Sequence, residues 1–346
     1  MIKSRLAIVI PTFNRADILR TSLENLLPTS DTYSIPVHVS DNCSSDNTMS
    51  TVTELMKLHP LLHYCRNAAN VRDVNFHLAL NLSHSDYTWL FADYTMINPS
   101  NIEELLRLLD TDDYDLVVLN GDGRVRGIPE GCYNDKNSIL QDIGWHMTWI
   151  SCYVYSSRVI TAGNFKRYYQ TPFIQMGVAF EYFAATNAIK VYWANGIRFQ
   201  PTPKSKKNSW LPFQMEILLK KWTEFVLSLP PCYELETKLS CIKQHSRKSQ
   251  FFGFKAMIFQ RAYNFFNVKQ LLKYRRYLFL GLDGYNRMVI AVLAIVPRPL
   301  LIMLIRLARK EKYSELVEYW SRVVIGYLPL SENFHDCRGQ SVGEIL

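Results

Sequence analysis

The chain has 346 residues, 48% hydrophobic and 20% charged, with 39 Lys and Arg against 31 Asp and Glu for a formal net charge of +8. Nearly half the residues can be buried, which excludes a disordered chain, and 14 Gly and 15 Pro are too few for a collagen-like or low-complexity one. The charge is unevenly placed: residues 1–120 carry −7, 121–242 carry +5, 243–312 carry +13 and 313–346 carry −3, so the third stretch alone exceeds the net charge and calls for an anionic partner.

Residues 6–11 (LAIVIP) form a continuous apolar run of strand length, the mark of a strand buried on both faces. A helix follows, with Asn14 as its N-cap, Ile18, Leu19, Ser22, Leu23, Leu26 and Leu27 along one face, and Pro28 as its stop. Residues 37–40 predict a second strand, 46–57 a second helix, 61–65 a third strand, 73–82 a helix opened by Asp73, and 87–91 a fourth strand. Asn98 and Pro99 open a helix that buries Ile102, Leu105, Leu106 and Leu109, and 116–120 is a fifth strand. This alternation predicts an α/β fold with a doubly wound, mainly parallel sheet, whose ligands bind at the carboxyl ends of the strands.

The middle third is less periodic, with turns over 120–131, an aromatic stretch at 145–155 and a helical run near 180–188. The basic stretch 201–208 (PTPKSKKN) reads as a connector, dividing the chain into domains 1–205 and 206–346. Beyond it the pattern is helical over 213–227, 238–250 and 254–279. Apolar runs at 288–296 and 300–305 are split by Pro297-Arg298-Pro299. Neither reaches the ~20 residues that span a bilayer, so a bent, in-plane or re-entrant helix pair is expected. The seven cysteines form no Cys-x-x-Cys pair, which argues for reduced thiols rather than a zinc ribbon or redox pair.

Each of the first four strands ends in polar residues: Pro11-Thr12-Phe13-Asn14-Arg15, then 40–48 with Asp41, then 66–72 with Asn70 and Arg72, then Ala92-Asp93-Tyr94-Thr95. Together they build a polar crevice, in which an aspartate accepts hydrogen bonds from a base or ribose and arginines pair with phosphates. Taken singly, Asn14 and residues 44–46 also read as helix caps, but four such ends in series point to a nucleotide site. The Gly-x-Gly-x-x-Gly turn of a dinucleotide-binding dehydrogenase is absent.

IVIPTFNR at 8–15, VHVSDNCSSDNT at 37–48 and the stretch 70–109 together resemble the start of a family-2 glycosyltransferase with the GT-A fold, of the bacterial surface-glycan type. The resemblance covers residues 5–110 and extends more weakly to 200. It implies a GT-A-like catalytic domain followed by a C-terminal helical region. It also implies a nucleotide-sugar donor, and inverting transfer of the sugar to a saccharide or lipid-linked glycan in surface polysaccharide synthesis. Carried over, Pro11, Thr12, Asn14, Arg15, Asp41, Asn70, Arg72 and Asp93 form the nucleotide-sugar site. Asp41 is then on the base or ribose, Arg72 faces the base or diphosphate, and Asp93 is on the acidic turn as a ligand of Mg2+ or Mn2+. The base that deprotonates the acceptor falls well after that turn, near a helix start; Glu181 fits, and reads equally as a solvated helix glutamate. Trp149 and Ser151 would lie beside the acceptor, although the aromatics of 145–151 also read as core.

The acidic turn departs from the family pattern, because Tyr94 and Thr95 stand where further carboxylates belong. A divalent cation wants hard anionic oxygens. Three outcomes stay open: weak metal binding through Asp93 and the diphosphate, metal-independent catalysis with Arg or Lys neutralising the diphosphate, or a degenerate relative acting as a scaffold subunit of a glycan-assembly complex. The basic C-terminal block interleaves Phe and Tyr with Lys and Arg, as an interfacial helix does, so the expected setting is cytoplasmic, peripheral on the inner face of the cell membrane. A helical subdomain with merely solvated charges is the alternative. No nucleic-acid motif is present, and no nucleic-acid partner is expected.

Overall fold

The computed structural model describes residues 5–203, 213–249 and 251–310. The connector from position 204 on, Lys312 and the acidic tail lie outside the described residues. The chain divides into two compact units, Met1–Lys204 with Leu229–Thr237, and Ser205–Ser228 with Lys238–Leu346.

The first unit runs β1 (Leu6–Thr12), α1 (Ala16–Thr32), β2 (Val37–Asp41), α2 (Thr48–Met56), β3 (Leu62–Arg66), α3 (Asn75–Leu80), β4 (Tyr87–Leu90), β5 (Thr95–Ile97), α4 (Pro99–Thr111), β6 (Leu116–Leu119), β7 (Gly131–Tyr133), α5 (Lys136–Asp142), β8 (Tyr153–Ser156), α6 (Ser157–Ala162), α7 (Ile174–Ala185), β9 (Val191–Ala194) and β10 (Phe199–Pro201). Eight strands form one sheet in the order β3-β2-β1-β4-β8-β6-β9-β7, and β5 pairs with β10 in a small antiparallel sheet. Strands β1 to β4 are mutually parallel. Strand β8 is antiparallel to both β4 and β6, so β6 again runs with β1 and β4. The carboxyl ends of β1, β2, β3, β4 and β6 therefore share one edge. Apolar runs such as LAIVIPT in β1 and LVVL in β6 are buried along their whole length, as a sheet covered on both faces requires.

Several expectations are corrected. The aromatic stretch at 145–155 contains β8, inserted between the predicted fourth and fifth strands. Its four residues are all buried, so no alternation marks it in the sequence. Helix α1 passes through Pro28 to Thr32, because its last turn buries Leu27, Thr29 and Ser30 and is fastened by Ser30 Oγ to the Leu27 carbonyl (2.9 Å) and Asp31 to His59 Nδ1 (2.5 Å). That packing offsets the ~3 kcal/mol proline penalty in a helix interior. Asn14 does not cap α1; it lies in the left-handed region (φ 52°) and its Oδ1 accepts from the Ser45 amide at 2.7 Å.

In the second unit, a stretch of π-helix (Met215–Lys221) continues as α8 (Trp222–Ser228), and α10 (Phe254–Ala262), α11 (Val268–Gly281), α12 (Gly284–Ile295) and α13 (Arg298–Lys310) follow α9 (Leu235–Lys248). The single helix expected over 254–279 is thus two, broken where Asn264 takes φ 64° and restarted by Asn267, whose side chain accepts from the Gln270 amide at 3.1 Å. Met257, Phe266, Leu282, Ile290 and Leu301 lie in its core. Helices α12 and α13 meet at 106°, and no single helix among the described residues is long and apolar enough to cross a membrane. Two arginines finish the helix ends there: Arg261 donates to the Leu293 and Val296 carbonyls at 3.2 and 3.1 Å, and Arg298 to the Ala262 carbonyl at 3.2 Å.

Candidate active site

The loop after β2 is held by short polar side chains. Asp46 caps two helices at once, accepting from the Ala16 amide at the start of α1 (3.0 Å) and the Thr48 amide at the start of α2 (3.0 Å). Burial works against its ionised form, but the hydrogen bonds from Thr48 and Ala16 win and lower its pKa. Asp41 is fully buried, accepting from the Ser44 amide (2.9 Å) and the Tyr64 hydroxyl (2.5 Å), with Arg66 at 3.8 Å. It therefore shapes this loop rather than facing the crevice. Asn42 bridges to Asn70 Oδ1 (2.9 Å) and the Val71 amide (2.8 Å), while buried Asn75 joins Asn67 (2.8 Å) to Ser40 (2.7 Å). Asn67 and Asn75 were missed in the sequence because an isolated asparagine reads as a turn residue. The network leaves Arg72 in the left-handed region (φ 55°), exposed, its side chain without a partner among the described residues. Such backbone strain persists only where the surroundings over-determine it.

The turn after β4 meets the end of β1. Asp93 is 4% exposed and accepts from Thr12 Oγ1 at 2.9 Å and Arg15 Nη1 at 3.1 Å. Burial pushes its carboxyl up, against the pull of Arg15 and Thr12. The Arg15 guanidinium also lies 5.9 Å from the Tyr94 ring centre, and its own pKa is raised chiefly by Asp93. Thr95 bonds to Ser151 Oγ at 2.6 Å, and the same oxygen accepts from the Ala92 amide at 2.9 Å. Ser151, read as an acceptor contact, is 1% exposed and acts as the brace of this turn. Pro11 is buried inside β1.

A fifth strand end, after β6, joins the other four, and sequence reasoning passed over it. Asp122 (φ 55°) sits between Gly121 and Gly123 (φ 58°), exposed and without a hydrogen-bond or ion-pair partner among the described residues. Partial burial raises its carboxyl pKa against the pull of Arg124. Gly121 is required here, since a Cβ would come within 2.5 Å of the Trp149 ring. The Arg124 guanidinium lies 4.9 Å from the Trp145 ring centre and 4.7 Å from that of Trp149, and donates to His146 Nδ1 (2.7 Å) and the His146 carbonyl (2.7 Å). Because arginine only donates, His146 Nδ1 must accept, which leaves the proton on Nε2 to reach the Leu119 carbonyl at 2.9 Å. Trp149 directs its indole N–H at the Tyr94 hydroxyl. Thr12, Asp93, Arg15, Tyr94, Trp149, Arg124 and Asp122 thus form one contiguous set. The signal available in the sequence was Asn-Gly-Asp-Gly-Arg directly after an apolar run.

Glu181 lies outside that set. On α7, it accepts from Arg167 Nη1 at 2.9 and 3.0 Å and from the Tyr168 hydroxyl at 2.7 Å. The acidic turn fits a divalent cation poorly: its sole carboxylate is spent on a guanidinium and a hydroxyl, and among the described residues no three of His, Cys, Asp or Glu converge as a metal site.

The family model Glycosyl transferase family 2 matches residues 7–183, just over half of the chain. No curated protein sequence matches. Among solved structures, S. aureus TarS 1-349 in complex with UDP-GlcNAc is 14% identical with a TM-score of 0.53, covering 93% of this chain and 88% of that one. A longer S. aureus TarS structure is 15% identical with a TM-score of 0.50, covering 92% of this chain and 55% of that one. The mannosyltransferase PcManGT from Pyrobaculum calidifontis, in complex with GDP-Man and Mn2+, is 12% identical over 93% of this chain and 85% of that one, at a TM-score of 0.47. With the expected motifs at the expected strand ends and this family match, the chain belongs to glycosyl transferase family 2 and is a glycosyltransferase of the GT-A fold.

Proposed function

We propose that this glycosyltransferase moves a sugar, with inversion, from a nucleotide-sugar donor to a saccharide or lipid-linked glycan in surface polysaccharide synthesis. The observation that carries the reading is the convergence of the β1, β4 and β6 ends on one crevice, through Asp93, Arg15, Trp149, Arg124 and Asp122. TarS, which has this fold, is solved with UDP-GlcNAc, in line with a nucleotide-sugar donor here. In this reading Arg72, exposed and without a side-chain partner among the described residues, meets the donor, and Asp41 acts through the loop it shapes. In an inverting transfer the acceptor oxygen bonds to the anomeric carbon as the bond from that carbon to the diphosphate breaks, and the acceptor proton passes to a carboxylate. Asp122 suits that role better than Glu181: it is unpartnered at the crevice edge, and its raised pKa strengthens it as a base. Glu181 gives its lone pairs to Arg167 and Tyr168.

The test is release of nucleoside diphosphate from a panel of nucleotide sugars by purified protein, followed with Asp122→Asn and Glu181→Gln. Asp122→Asn is expected to lower kcat by about 10²–10⁴-fold with little change in KM, whereas Glu181→Gln stays within a few-fold. The opposite pattern moves the base to Glu181, and no release from any donor refutes the reading.

The second unit reads as a peripheral anchor to an anionic membrane face. Helix α12 exposes Tyr285, Met288, Val292 and Ile295, and α13 exposes Leu300, Met303, Leu304 and Leu307, each at helical spacing along one face. Helix α11 adds Leu272 and Phe279 beside Arg275 and Arg276, which line an open hollow. Apolar stripes bordered by cations suit a helix lying in an anionic lipid interface, here the inner face of the cell membrane.

A further inference from the structure

We propose that Arg15, beside Tyr94, and Arg124, beside Trp149, hold the donor's diphosphate and take the place of a divalent cation, so that transfer is metal-independent. The proposal rests on the nucleotide-sugar reading above and names how that site handles charge.

Three observations converge. First, Asp93 is already neutralised: both its oxygens are engaged, one by Thr12 and one by Arg15, in a buried position. A dication there would have to displace a guanidinium held by an ion pair and a cation–π contact to Tyr94. Second, the Arg15 side chain remains 33% exposed, so it has a face left to offer a ligand. Third, Arg124 is a cation without an ion-pair partner among the described residues. Its Nε and Nη2 are used on His146, and two tryptophan ring centres lie within 4.9 Å of it. Burial brings its pKa down to about 10, which leaves it charged at neutral pH. A half-buried arginine in that state is costly until an anion arrives, and Asp122 attracts it without forming an ion pair with it.

Geometry links the two. Arg15 lies 5.9 Å from the Tyr94 ring centre and Arg124 4.7 Å from that of Trp149, and the side chains of Tyr94 and Trp149 are hydrogen-bonded to each other. The two cations therefore lie by the turn where family members carry their further carboxylates. The chemistry balances without a co-reactant. As the bond from the anomeric carbon to the diphosphate breaks, its electron pair goes to the departing phosphate oxygen. The charge that develops there is met by arginine N–H groups fixed in advance, the form of electrostatic stabilisation that needs no reorganisation.

The experiment uses the full chain, stripped with EDTA and titrated by calorimetry with UDP, GDP, CDP and ADP and with their monophosphates. For the base that binds, the diphosphate is expected to be at least about tenfold tighter than the monophosphate in EDTA. Excess Mn2+ is expected to change that ratio by less than about threefold. Arg15→Met and Arg124→Met should each cut the preference for the diphosphate by about tenfold while leaving monophosphate affinity unchanged. Sugar transfer by the unmodified chain should persist in EDTA. The wild-type titrations decide the matter even where a variant fails to fold. A diphosphate preference that appears only with Mn2+, or that survives both substitutions, overturns this proposal while leaving the nucleotide site standing. An absence of nucleotide binding under either condition overturns both.

Discussion

His146 shows how a residue with no catalytic duty can set the working range of the crevice. It is fully buried, and burial together with neighbouring Arg124 holds its pKa well below 6.5. The unfolded chain takes up a proton near pH 6.5 that the folded chain refuses, so stability is complete above that pH and falls as the pH drops below it. The slope for this one group is about 1.4 kcal/mol per pH unit. His38, lowered to about 4 by burial and by its stacking partner His63, acts in the same direction down to its own folded value. Urea unfolding at pH 7 and pH 5 should show the loss, and a flat profile between them would contradict the buried neutral histidine. Ser151 belongs to the same class: Ser151→Ala is expected to weaken turnover through the acidic turn, raising KM and lowering kcat together rather than shifting the pH profile.

At the scale of elements, the two helices that open the crevice depend on one side chain. Replacing Asp46 by Ala removes the caps of α1 and α2 together, and a loss of about 2 kcal/mol in unfolding free energy is expected, read from the urea midpoint. A substitution at Asn14 should cost less, since its side chain bonds only to Ser45. The first four strands and the helices between them were legible because each is an apolar run closed by polar residues, and their order placed Thr12, Asp93 and Arg72 at one edge. What was hidden follows from two physical facts. Strand β8 is too short and too uniformly buried to show alternation, so its insertion between β4 and β6 left no periodic trace. The cap of α1 comes from Asp46, 30 residues away, and no local pattern can announce a partner brought in by topology. The same reason concealed Arg124, whose meaning depends on Trp145, Trp149 and Tyr94 arriving from other segments.

For the molecule as a whole, the +13 carried by residues 243–312 is only partly available to a partner. Arg261 and Arg298 close helix ends, Arg247 pairs with Asp283 at 2.5 Å, and Arg287 lies 4.5 Å from the Phe279 ring centre. Lys269 and Arg276 have no partner among the described residues, and Arg275 bonds only to the Leu272 carbonyl at 3.5 Å. Apolar insertion should therefore outweigh charge. Val292→Asp with Ile295→Asp is expected to abolish sedimentation with phosphatidylglycerol vesicles, whereas Arg275→Gln with Arg276→Gln should weaken it by about 2 kcal/mol, or some 30-fold. Binding that survives the aspartates would leave the helices as a packing subdomain only. The position of β8 has a further consequence, for the order in which the protein is made. Strands β4 and β6 have no direct pairing and wait for residues 153–156, and the brace on the acidic turn waits for Ser151. A nascent chain that has passed β6 but not β8 leaves one edge of β4 and both edges of β6 unpaired, and the crevice unbraced. Synthesis paused in that interval, or a product truncated there, should be the form of this protein most prone to aggregate.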